Sequence, residues 1–195
     1  DYSREQFAIF ARCCDVLQAG FSHHILRHIL NSTGITRFPE YQYDMVRLGI
    51  CLYGIPTLPD RSQGDLQPVS SLSTVIIAIK EWEAGTTIGY NRRGVLHRRS
   101  RIATIPIGYA DGLNRHLGNG HSTVLVNGHR CPTVGNICMD ICMIDVTDVD
   151  CEVGDTVEIF GRNISVMEIA DTLGTIPYEV LTSVSSRVKR VYYRE

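Results

Sequence analysis

A proline-bearing break constrains this chain most: Pro56 to Pro68 holds three prolines, one glycine and few apolar residues, and the hydrophobic pattern differs on its two sides. Proline cannot donate to a strand ladder, so the segment reads as a linker, placed at 56–65 between a first region at 1–55 and a second at 66–195. Before it, residues 3 to 19 are predicted to be a helix. Ser3 and Gln6 form a capping box there, Phe7, Phe10, Cys14 and Leu17 share a face, and Gly20 is the stop. Residues 25 to 31 and 45 to 53 read as buried strands, so the first region alternates helix, strand, connection, strand in the manner of an α/β unit. These elements are too few to close a sheet. Beyond the break the apolar runs are short and evenly spaced, which predicts strands at 72–80, 101–107, 123–126, 138–146, 156–160 and 188–193. Asn127-Gly128 predicts a hairpin, because both residues tolerate positive φ. Ser165 and Glu168 predict a capped helix that Gly174 closes. The expected class is mainly β, of the α+β type.

Composition narrows the partners. Nineteen Lys and Arg stand against 21 Asp and Glu, and no run of five like charges occurs, so the chain is not expected to bind a nucleic acid or a membrane surface. No stretch approaches the ~18 apolar residues of a membrane helix. The seven cysteines are odd in number and include no C-x-x-C pair. They read as reduced thiols of a cytosolic protein without a metal site. The chain opens on Asp1 rather than Met, which is expected of a polypeptide cut from a longer one or processed at its start.

Six fragments could carry chemistry, each with an ordinary structural alternative. Tyr109, at a strand end in Ile107-Gly108-Tyr109-Ala110-Asp111-Gly112, can turn its hydroxyl toward a cleft or simply sit on a rim. Tyr90 follows Gly89 and precedes Arg92 and Arg93, and cations favour a phenolate base unless they are merely solvated. Arg47 lies in the apolar run Val46-Arg47-Leu48-Gly49-Ile50, where it needs a ligand or an aspartate partner, and Gly49 permits close backbone approach. Asn31-Ser32-Thr33-Gly34 has the composition of a phosphate-binding loop and equally of a turn. Cys138 of Cys138-Met139-Asp140 is a thiol nucleophile or a buried structural cysteine. His23, His24 and His28 could bind metal if they shared a helix face, which the strand reading of the same stretch opposes.

The order of these fragments is more specific than any one of them. His28 to Ser32, Arg47-Leu48-Gly49-Ile50-Cys51-Leu52-Tyr53-Gly54, Gly89-Tyr90, Ile107 to Gly112, Gly135-Asn136-Ile137-Cys138-Met139-Asp140 and Ile176-Pro177-Tyr178-Glu179-Val180 follow one another as they do in the alanine racemases. From about residue 5 onward the chain resembles the C-terminal half of these pyridoxal-phosphate enzymes, which interconvert L- and D-alanine. The resemblance implies that residues 1–55 are the end of a (β/α)₈ barrel and residues 66–195 a β-rich, barrel-like second domain. It implies that Arg47 meets the pyridine nitrogen of pyridoxal 5'-phosphate. The phosphate would be held by Ser32, the amides of Gly49 and Ile50, and the Tyr178 hydroxyl. Tyr90 would be the catalytic acid/base on one face of Cα, Met139 would meet the substrate carboxylate with its backbone, and Tyr109, Arg115 and Asp140 would surround the entrance. Asn136 stands where many members carry an arginine, which is expected to lower the positive charge of that corridor. The family's cofactor-bearing lysine lies near the barrel's start, whereas the only lysines here are Lys80 and Lys189, in a different context. The implied enzyme is a homodimer in which Tyr90, Met139 and Tyr109 serve the partner's cofactor while Arg47, Ser32 and Tyr178 serve their own. Two other readings stay open: a β-rich binding or dimerisation module without chemistry, and a related decarboxylase of the same fold type.

Overall fold

The computed structural model describes residues 2–58 and 66–193, so residues 59–65 of the expected linker lie outside the described residues. The chain divides into two compact units, Asp1–Val69 and Ser70–Glu195.

In the first unit, α1 spans Tyr2–Ala19 and ends before Gly20, whose amide donates to the Leu17 carbonyl at 3.0 Å. Phe7 is its buried residue. The ring stacks on Tyr41 with centroids 4.1 Å apart and meets Phe38 edge-on at 5.2 Å, and Leu30 completes this small core. Neither strand expected here forms. Segments 27–30 and 45–47 do lie side by side, with Met45 N–H donating to the Arg27 carbonyl at 3.3 Å and Arg47 N–H to Leu30 at 2.8 Å. The pairing amounts to one isolated parallel bridge, His28 to Met45. Among the described residues this pair has no further strand neighbour to extend it into a sheet. The second expected strand ends instead in a 3₁₀ turn, Ile50–Tyr53, because Gly49 (φ −124°, ψ −101°) breaks the extended run and Gly54 (φ +75°) caps the turn. A short helix, α2 (Ser32–Arg37), was not foreseen; Asn31 caps it by accepting from the Gly34 amide at 2.9 Å.

Among the described residues, the second unit carries nine strands in three antiparallel sheets. The four-stranded sheet has the order β1 (Leu72–Val75), β9 (Thr156–Phe160), β6 (Thr123–Val126), β7 (His129–Pro132). The three-stranded sheet is β2 (Ala78–Trp82), β5 (Ser100–Ile105), β8 (Cys142–Asp145), and β3 (Thr87–Ile88) pairs with β4 (Gly94–Val95). No closed barrel forms among the described residues. Inward positions such as Ile105, Val126, Ile144 and Val157 are fully buried, as alternation requires. The Asn127-Gly128 hairpin joins β6 to β7 with φ of +47° and +81° at its two central residues.

Three strand expectations change here. The run 72–80 is two strands, because Ile76 N–H turns to the Asp155 carbonyl at 3.0 Å while Ile77 N–H turns to Thr104 at 2.9 Å. The chain thus leaves one sheet for the other between adjacent residues. In 138–146 only 142–145 is strand, since Cys138 N–H donates to the Ile141 carbonyl in a local turn. Residues 188–193 form no strand; Arg190 instead donates to the Val184, Ser185 and Val188 carbonyls, holding the segment in a turn. Of the box before α3 (Val166–Leu173), Ser165 caps as expected, accepting from the Met167 amide at 3.2 Å, but the Glu168 carboxylate pairs with Arg130. Gly174 (φ +66°) ends α3, and α4 (Pro177–Ser183) follows unpredicted.

Among the described residues, no helix is long and apolar enough to cross a membrane, and no group of three His, Cys, Asp or Glu can hold a metal ion. His23 and His24 lie in a loop rather than on a helix.

Candidate active site

In the first unit, Ser32 and Gly49 are brought together, with Ile50 next in the chain. Ser32 is 3% exposed, and its Oγ accepts the Gly49 N–H at 2.9 Å. A Cβ at Gly49 would make ordinary contact with this hydroxyl, 3.7 Å from Oγ. The next residue, Ile50, is buried at the start of the 3₁₀ turn. Hydroxyl and main-chain N–H donors grouped in this way are the set that a phosphate accepts from. Arg47 is exposed, and no carboxylate pairs with it among the described residues; its Nη1 faces His28 Nδ1 at 3.3 Å. Among the described residues, the aspartate ion pair considered for it does not form. Tyr178, the remaining phosphate candidate, belongs to the second unit and lies exposed on α4.

In the second unit, Tyr90 opens a tight 3₁₀ turn and is 72% exposed. Around it Gly89, Asn91 and Arg92 have φ of +75°, +57° and +54°. A non-glycine residue held at positive φ costs about 1–3 kcal/mol and persists only where the surroundings dictate it. Arg92 Nε donates to Thr87 Oγ1 at 3.1 Å, and Asn136 Nδ2 donates to the Tyr90 carbonyl at 3.1 Å. Asn136 is 6% exposed and braces the tyrosine turn from beneath.

Tyr109 and Met139 are brought together by their backbones. Tyr109 N–H donates to the Cys138 carbonyl and Ala110 N–H to Met139, both at 3.0 Å. Gly108 allows this approach, because a Cβ there would lie 2.3 Å from each of those two carbonyl oxygens. A residue not foreseen ties the two segments further. Arg187 Nε donates to Asp111 at 2.7 Å and its Nη2 to Asp140 at 2.6 Å, while Asp111 also accepts the Gly108 N–H at 2.8 Å. The sequence signal for Arg187 was an unassigned cation near the chain end, and nothing local linked it to either aspartate. Arg115 stands in a 3₁₀ turn, Arg115–Leu117, within electrostatic reach of Cys138.

Burial opposes ionisation of Asp111, but the hydrogen bonds from Arg187 and Gly108 and the guanidinium charge outweigh it, leaving the carboxyl below its usual range. A carboxyl depressed in the folded state stabilises above its unfolded value of ~3.9 and loses that contribution as pH falls through the folded value. Asp111→Asn should therefore flatten part of the acid limb of a stability profile read by urea unfolding between pH 7 and pH 3. An unchanged limb would show that the Asp111 pair contributes nothing.

The thiol reading of Cys138 fails on its electrostatics. Burial raises its pKa against the lowering effect of Arg115, and burial likewise pushes Cys142 up to about 12 and Cys131 up to about 11. A nucleophilic cysteine needs the opposite shift. All seven cysteines are free.

Residues 69–192 match the family described as alanine racemase, C-terminal domain, and residues 1–57 match alanine racemase, N-terminal domain. The chain is 48% identical, over 98% of its length and 51% of the relative's, to alanine racemase 2 of Caldanaerobacter subterraneus subsp. tengcongensis. It is 41% identical, over 98% of its length and 52% of the relative's, to an alanine racemase of Methanococcus maripaludis. Among solved structures, an alanine racemase of Clostridium difficile 630 is similar with a TM-score of 0.91 and 38% identity, covering 99% of this chain and 51% of that one. The alanine racemase of Bartonella henselae with covalently bound pyridoxal phosphate is similar with a TM-score of 0.84 and 35% identity, over 99% of this chain and 52% of that one. The chain spans about half the length of the curated relatives it matches.

Proposed function

The chain belongs to the alanine racemase family, and from that premise we propose that it is the C-terminal part of a pyridoxal-phosphate-dependent enzyme that interconverts L- and D-alanine. We place that enzyme in the cytoplasm as a homodimer with shared active sites, with 1–55 as the end of a cofactor-binding barrel and 66–195 as the β-rich domain. The observation that carries the reading is the Tyr90 turn. Its ring is exposed, and the backbone that presents it is set by three positive-φ residues and a buried asparagine.

Donors of the kind a phosphate needs are present in the first unit: the Ser32 hydroxyl and the Ile50 amide would hold the cofactor's phosphate, with the Gly49 amide turning to it from Ser32, and Tyr178 of the second unit stays a further candidate. Arg47 would hold its ring nitrogen, and a guanidinium keeps its protons, so it donates a hydrogen bond there without protonating the ring. When bound, the cofactor supplies the electron sink that acidifies the α-proton of an amino acid. Tyr90 takes or returns that proton on one face of Cα. Racemisation needs a second acid/base on the opposite face, and neither Lys80 nor Lys189, both in the β-rich unit, is assigned that role. Met139 would meet the substrate carboxylate through its main chain. Tyr109, Arg115 and Asp140 surround the approach, with Asp140 held by Arg187.

The test has two arms. The intact enzyme should interconvert the alanine enantiomers; a polypeptide that decarboxylates amino acids, or leaves alanine untouched, would remove the racemase reading. This chain alone, incubated with pyridoxal phosphate and reduced with borohydride, should show no stoichiometric adduct on Lys80 or Lys189 and no turnover. A trapped adduct on either lysine accompanied by racemisation would overturn the division of roles.

A further inference from the structure

We propose that Asn136 is a positioning residue for proton transfer, fixing through its side-chain amide where the Tyr90 turn holds its hydroxyl; the inference rests on the reading of Tyr90 as an acid/base. Within this chain Tyr90 is 72% exposed, so what fixes its place here is its main chain rather than contacts of its ring. Within the turn Arg92 N–H reaches the Gly89 carbonyl at a long 3.3 Å. The bond that runs from Tyr90 itself to a distant segment is the one from Asn136 Nδ2 to the Tyr90 carbonyl, at 3.1 Å and 46 residues away.

Two features make this amide a fixed anchor. Its Oδ1 accepts from Asn119 Nδ2 at 3.1 Å, which sets its orientation and leaves the NH₂ group for Tyr90. Asn119 is held in turn, because its own N–H donates to the Gly135 carbonyl at 2.8 Å. The segment under the turn also has no room to slide. A Cβ at Gly135 would lie 2.6 Å from the Ile88 carbonyl oxygen, and one at Gly94 would lie 2.7 Å from the Gly135 nitrogen, so the two backbones are in direct contact. Asn136 is 6% exposed, so water is poorly placed to replace the bond if the donor is lost.

Asn136→Asp tests this with little change of volume. It keeps the acceptor for Asn119 and replaces the donor facing the Tyr90 carbonyl with an acceptor oxygen. In this chain, tryptic cleavage after Arg92 or Arg93 should speed by about fivefold or more while cleavage elsewhere keeps its rate, since cleavage follows the open fraction of the turn. In the intact enzyme, deuterium incorporation at Cα on the Tyr90 face should fall by about tenfold, with the opposite face and the KM for alanine within about twofold, as misplacement of a reacting group predicts. Asn119→Ala, which frees the amide to rotate, should give smaller changes in the same direction. Unchanged cleavage in both variants, or equal loss on both faces of Cα, would overturn the proposal. Absence of alanine racemisation by the unsubstituted enzyme would overturn the functional reading and the proton-transfer role together, leaving the anchor itself to be decided by proteolysis.

Discussion

Tyr90→Phe in the intact enzyme should lower interconversion of the alanine enantiomers by roughly 10²–10⁴-fold, the range that a positioned acid/base contributes. The substitution removes one oxygen from an exposed ring and leaves the turn unaltered, because Gly89, Asn136 and Thr87 contact main chain or Arg92 rather than the Tyr90 hydroxyl. Cofactor affinity should therefore stay nearly constant, so the loss falls on kcat and on kcat/KM together. The loss should also be unequal between substrates, since the two faces of Cα are served by different groups. Exchange of the α-proton with heavy water should survive better from the enantiomer whose α-proton lies on the face opposite Tyr90. Equal loss from both enantiomers, or none, would return Tyr90 to the ranks of ordinary surface tyrosines. Loss of cofactor binding would locate the effect in folding rather than proton transfer.

The second large effect concerns Gly108. Alanine at this position would place its Cβ 2.3 Å from the carbonyl oxygens of both Cys138 and Met139, and neither is the end of a flexible side chain. The two segments must separate, which breaks the hydrogen bonds that Tyr109 and Ala110 donate to those carbonyls and pulls Asp111 from the clamp it shares with Arg187 and Asp140. Two hydrogen bonds at ~1 kcal/mol each, with the strain of overpacking, give a destabilisation of about 3 kcal/mol. Urea unfolding of Gly108→Ala should show a midpoint lowered in proportion, with Gly128→Ala as a contrast: no atom lies within 4 Å of its Cβ, so its cost comes from the φ of +81° alone. Should Gly108→Ala prove as stable as the parent, the close backbone approach would not be a requirement of the fold.

The two predictions depend on different levels of organisation. The Tyr90 motif was visible as a glycine before a tyrosine with arginines behind it, because a local turn needs only local residues. Its support was not visible. Asn136 drew notice for a charge it lacks, whereas the structure makes it a donor to a residue 46 positions earlier. The Arg187 clamp is a stronger case, joining Asp111 and Asp140 across 76 and 47 residues with no periodicity or spacing to mark it.

Elements governed by neighbours in the chain were readable from residue order alone: α1 and its end at Gly20, the Asn127-Gly128 hairpin, the Ser165 cap, the Gly174 stop and the strands β6 and β9. Capping, turn conformation and alternation act over two to five residues, so composition in a short window decides them. The order of the six fragments likewise identified the family without any coordinates. Partnership was decided only in three dimensions. The apolar run 72–80 gives no sign that Ile76 and Ile77 bond to different sheets, and the run 45–53 gives none that it ends in a 3₁₀ turn. Apolar side chains announce burial but not the partner that buries them, since hydrophobic attraction has no direction. Which strand, carbonyl or aspartate a residue finds is set by the packing of segments far apart in sequence, and the tertiary structure alone supplies that.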